Sequence, residues 1–117
     1  MIALLTVALS SCGSGSAQRS APTGLRTVLV FDTASEPSAS QPGSTLRTRL
    51  VGGRAPADET TATVLTDEDC APDTQGISHC LNKLELANGS RISVRHPHDM
   101  HQIPCLAPGE QVNVRPA

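Results

Sequence analysis

The residues able to do chemistry cluster tightly. All four histidines, and the only methionine besides Met1, fall in two short segments of this 117-residue sequence: His79-Cys80, and His96-Pro97-His98-Asp99-Met100-His101, with Cys105 four residues beyond. Imidazole together with thiolate suits zinc or copper, and a thioether suits cuprous copper. His96, His98, His101, Cys80, Cys105 and Met100 are therefore the candidate ligands for copper or zinc. Their spacing matches no established metal motif. A Cys105–His101 pair has the elements of a nucleophile and base but lacks an oxyanion motif. The acidic run Asp67-Glu68-Asp69 with Asp73 lacks the glycine and the distal glutamate of a calcium loop. Binding is the expectation, and catalysis is not.

The N-terminal segment says where such a site would operate. Ile2 to Leu9, IALLTVAL, is an apolar run too short to cross a bilayer as a helix, which needs roughly 20 such residues, and it fits the core of a secretory signal. Leu9-Ser10-Ser11-Cys12 follows directly and resembles the lipobox of bacterial lipoproteins, although no Lys or Arg precedes the apolar run. The resemblance implies cleavage before Cys12, a diacylglycerol on its thiol, and anchoring to the cell membrane on its extracytoplasmic face. Residues 1–11 are then a signal peptide. Residues 13–24, GSGSAQRSAPTG, cannot bury enough apolar surface to offset their ordering entropy and read as a tether. Within the histidine cluster, His98-x-Met100 resembles a piece of the periplasmic copper chaperones, without their second, upstream methionine.

With Cys12 lipidated, Cys70, Cys80 and Cys105 remain as disulfide candidates in an oxidising compartment. A bond involving Cys80 is expected, because Cys80 lies in a hairpin and the other two in flanking turns; the pairing stays open. Two readings follow. One is a metal-binding lipoprotein, which needs thiolates. The other is a disulfide-stapled structural or interaction module of the cell envelope, facing a protein partner and holding no metal. A formal net charge of −2 and a pI near 6.0 provide no field to gather nucleic acid.

These residues need a scaffold. With Phe31 the only aromatic residue, the core must be small and aliphatic and in need of a staple. Leu25 to Phe31 reads as a strand candidate within a Ser/Gly/Pro-rich tether spanning 12–44. Thr45 to Val51 alternates apolar and basic residues as a half-buried strand does. Thr60 to Leu65 is β-branched, and Gln111 to Val114 is a final strand. The clearest element is a hairpin around Asn88-Gly89. A three-residue loop, 87–89, with Gly89 as a left-handed bulge, pairs Leu84 with Ile92 and keeps the apolar residues on one face. That register puts Cys80 opposite His96, with His98 joining them if the strand continues through Pro97. The expectation is an all-β domain over 45–117, a small antiparallel sheet or partly open barrel with a central hairpin.

Overall fold

The computed structural model describes residues 24–43 and 45–117; the stretch expected to be a signal peptide, Cys12 and residues 13–23 of the expected tether lie outside the described residues. Six strands follow one another: β1 (Arg26–Phe31), β2 (Thr45–Gly52), β3 (Thr60–Glu68), β4 (Ser78–Leu86), β5 (Arg91–His98) and β6 (Gln111–Pro116). They close into a barrel in the order β1-β2-β5-β4-β3-β6.

The β4–β5 hairpin forms as its turn chemistry dictates. Gly89 has φ +90°, its N–H donates to Leu86 O at 2.8 Å, and Leu86 N–H donates to Ser90 O at 2.8 Å. The register is Leu84 with Ile92 and Cys80 with His96. Every second residue of β4 from Ser78 to Leu86 is buried, the period that a one-sided sheet imposes.

The all-β barrel with its central hairpin is as expected, and only the strand pairing and the completeness of closure differ, being mixed and full rather than antiparallel and partly open. β1, from the stretch read as tether, is inserted between β2 and β6 and runs parallel to both. Its insertion removes both free edges, so the barrel is closed and its pairing mixed. The reason lies in β1's own pattern: Val28 and Val30 are 0 % and 2 % exposed, and an amphipathic strand with a buried face needs a sheet to join. The connection over residues 32–43 then crosses one end of the barrel.

Val28, Val30, Leu46, Val64, Leu84, Ile92, Val94, Val112 and Val114 fill the interior. Ile103 and Leu106, from the loop between β5 and β6, are also buried and join the same core. The start of β4 and the end of β5 lie at the barrel end opposite the hairpin turn. The starts of β1, β2 and β6 and the end of β3 share that end. It is covered by the 32–43, 69–77 and 99–110 connections.

Candidate metal centre

β5 delivers two histidines into the covered end. His96 and His98 are two apart on one strand face and both are 0 % exposed. Their rings stack with centroids 4.0 Å apart and planes 8° from parallel. The strand passes through Pro97 because the β2–β5 register ends at the Arg49–Arg95 pair, so the missing proline N–H falls beyond that ladder. Pro97 O instead accepts from Ser40 N–H at 3.0 Å.

Hydrogen bonds set the tautomers. His98 Nδ1 lies 3.1 Å from His96 O, and since a carbonyl only accepts, Nδ1 carries the proton. The lone pair is therefore on Nε2, which is buried and has no hydrogen-bond partner. This is how a second contact prepares an imidazole to ligate a metal. Ser40 Oγ accepts from Arg47 N–H at 2.8 Å, which leaves its own proton for His96 Nε2, 3.3 Å away. His96 Nδ1 is then a buried N–H without a partner.

Both rings are held neutral. Burial pushes the His96 pKa well below its ordinary value, with further contributions from His98 and the Arg26 guanidinium. Burial also lowers His98, opposed by its hydrogen bond to His96 O and helped by Arg26. A neutral imidazole is the ligating form.

Sulfur completes the group. Cys80 Sγ, Cys105 Sγ and a ring nitrogen of His98 all lie within 4.8 Å of one another. Cys80 is 0 % exposed and is bonded to Cys70, and none of the described cysteines is a free thiol. The oxidised chain thus gathers the sulfurs of a soft-metal site without presenting them as thiolates. Of the remaining candidates, His101 points outward, its side chain 96 % exposed against Asp99, and the structure does not bring it to the buried pair. Met100 is half-buried in the adjoining turn.

Cys105 is positioned by a contact invisible to local sequence reading. Arg26 grips Glu110 with two hydrogen bonds, of 2.8 and 2.7 Å. It also donates to Pro104 O and Cys105 O, each at 2.8 Å. The start of β1 thereby clamps the 99–110 connection over the barrel end. Charge-assisted hydrogen bonds of this kind stabilise by more than neutral ones. Arg26→Met is expected to lower unfolding free energy by about 2 to 3 kcal/mol in urea denaturation, with proteolytic cleavage of the 99–110 loop appearing before global unfolding.

A second cluster flanks the disulfide on the outside. Asp67 Oδ1 accepts from Asn82 Nδ2 at 2.7 Å and lies 3.5 Å from Cys70 Sγ. Burial pushes the Asp67 carboxyl up to about 6, against the lowering effect of Asn82. His79, not a candidate ligand from the sequence, bridges two connections: Nδ1 is 2.8 Å from Glu36 Oε1 and Nε2 is 2.9 Å from Asp73 Oδ2. The Asp73 hydrogen bond, then that from Glu36, raises its pKa above 6.5. Because the folded value is raised, the clasp contributes fully below pH 6.5 and its contribution is lost as pH rises through the folded value. His96 and His98 have lowered values, so their contribution is fully present above 6.5 and is lost as pH falls toward the folded values. Melting temperature measured across pH should decline on the alkaline side of 6.5, and His79→Gln should remove that alkaline decline and also alter the acid side, because the His79 hydrogen bond is the main cause of the lowered Asp73 carboxyl.

No protein-family model, curated protein or solved structure matches this chain.

Proposed function

We propose that the chain is a lipid-anchored protein of the extracytoplasmic membrane face that binds copper or zinc at the covered end of its barrel. His98 is the nitrogen ligand, and Cys80 and Cys105 are the sulfur ligands once reduced to thiols. The observation that carries this reading is the His98 ring. It is wholly buried, its tautomer is fixed through Nδ1, its Nε2 has no hydrogen-bond partner, and one of its ring nitrogens lies within 4.8 Å of two sulfurs. An unsatisfied buried polar atom has a cost, and a ligated cation would offset it. The role is capture or holding of a metal, not catalysis. The lipobox-like Leu9-Ser10-Ser11-Cys12 supports the location. His101 is outside this ligand set because of its exposure. His96, stacked on His98, positions that ring and fills the adjoining space.

The test is zinc binding by the fully reduced chain against a chromophoric chelator, with thiols counted in parallel. One zinc per chain, with loss of two reactive thiols on binding, is expected. Absence of retained zinc or cuprous copper in the reduced chain would overturn the proposal. For the anchor, mass spectrometry of the membrane fraction should find a species beginning at a lipidated Cys12; an intact Met1 form alone contradicts it.

The second reading is a disulfide-stapled envelope module that acts through a protein partner, and the Cys70–Cys80 bond favours it. Such a bond closes a short loop, and loop-closure entropy assigns it about 2 to 3 kcal/mol. Replacing both cysteines by serine should reduce stability by that amount. On this reading the reduced chain retains no metal, which separates the two.

A further inference from the structure

The geometry points to the Cys70–Cys80 disulfide as an exchange site addressed from outside at Cys70 by a thiol reductant that is neutral or positively charged, its opening delivering the Cys80 sulfur to His98. The two sulfurs are not equivalent. Cys80 is 0 % exposed and faces the barrel interior, whereas Cys70 is half-buried, in the connection outside the barrel. Thiol–disulfide exchange requires attack along the S–S axis, from the side opposite the leaving sulfur. With the leaving sulfur inside, only Cys70 can be approached in line from solvent.

The step balances as follows. An external thiolate bonds to Cys70 Sγ, the S–S bond breaks, and Cys80 leaves with the electron pair as a thiolate. A second external thiolate attacks the reductant's own sulfur in that mixed disulfide and releases the Cys70 thiolate. Two thiols have become one external disulfide, and the two protons they lost are available to the protein sulfurs. The Cys80 sulfur lies within 4.8 Å of a ring nitrogen of His98 and of the Cys105 sulfur, so the bond gates the contribution of Cys80 to the proposed ligand set; Cys105, itself disulfide-bonded, is released by a separate reduction. The inference rests on the metal reading for what the thiolate then does, but not for the exchange itself.

Charge selects the reductant. Asp67 Oδ1 lies 3.5 Å from Cys70 Sγ, Glu68, Asp69 and Asp73 lie within three residues of Cys70 in the sequence, and His79 joins Asp73 to Glu36. Arg95, bonded to Asp69 at 3.1 Å, and His79 offset this only in part. A thiol carrying negative charge must approach this face against repulsion, whereas a cationic thiol is attracted.

The experiment uses the oxidised full chain in metal-free, chelator-containing buffer, mixed with cysteamine or with 2-mercaptoethanesulfonate. Mixed disulfides are trapped in acid and mapped by peptide mass spectrometry, and rates are normalised to an uncharged model disulfide. Within the Cys70–Cys80 pair, the first adduct is expected on Cys70, with cysteamine about tenfold faster than the sulfonate at low salt and the gap closing in concentrated salt. Glu68→Gln combined with Asp69→Asn should narrow the gap; asparagine tolerates the left-handed backbone of residue 69, φ +64°. A first adduct on Cys80, or equal rates for the two thiols, overturns the gate. Because no metal is present, that failure is separate from failure of the reduced chain to bind zinc.

Discussion

His98→Ala, in the fully reduced chain, is expected to weaken zinc or cuprous copper binding by at least about a hundredfold, since losing a ligand costs no less than losing the contact that orients it. The change removes the only nitrogen in the Cys80–His98–Cys105 group and leaves the two sulfurs in place. A competing effect is the cavity left by the ring, which loosens the end of β5. His98→Phe is the control, because it fills the space and stacks on His96 but offers no lone pair. If affinity falls equally in both variants while melting temperature falls mainly in His98→Ala, the nitrogen is the ligand. If His98→Phe retains full affinity, His98 only packs. His101→Ala should leave binding unchanged, because that ring is in solvent.

The largest effect on stability is expected at Leu84. It is 0 % exposed, paired across the barrel wall with Val64 on one side and Ile92 on the other. Leu84→Ala removes buried methyl groups and leaves a void that stiff strands close only in part. A loss of about 3 to 4 kcal/mol follows from such substitutions in other cores. In a domain with one aliphatic core that is a large share of a total of about 5 to 15 kcal/mol. Urea denaturation of the oxidised chain measures it directly. A loss below about 1 kcal/mol would mean that the barrel interior collapses around the missing side chain and that the core is not close-packed at this position. Leu84→Met, close in volume, should cost less than about 1.5 kcal/mol.

The parts of the fold legible in the sequence are those governed by short-range rules. Asn88-Gly89 and the alternation of Leu84, Leu86, Ile92 and Val94 specify the hairpin and its register, because a slip of one residue would expose the apolar set. That register carries Cys80, His96 and His98 to one end of the core, where the structure places them. The bond at Cys80 is also consistent with its hairpin position, while the identity of Cys70 as partner came only with the fold.

What was not legible depends on long-range pairing. β1 joins β2 and β6 in parallel, and nothing in LRTVLVF specifies which strands will accept it. The Ser, Pro and Gly content after Phe31 suggested a linker, yet those residues form the connection whose Ser40 reaches His96. Arg26 and Glu110 are 84 positions apart, so their clamp on the Cys105 loop has no local signature. The histidines looked alike on paper. Burial divided them: His96 and His98 inside the barrel, His79 in a carboxylate clasp and His101 in water.

The most direct measurement of the central claim is X-ray absorption at the zinc edge on the reduced, zinc-loaded chain. The proposed site predicts a first shell containing sulfur near about 2.3 Å and imidazole nitrogen near about 2.0 Å, with the imidazole scattering lost in His98→Phe. A shell made only of oxygen and nitrogen at the shorter distance, or one unchanged by His98→Phe, would contradict it.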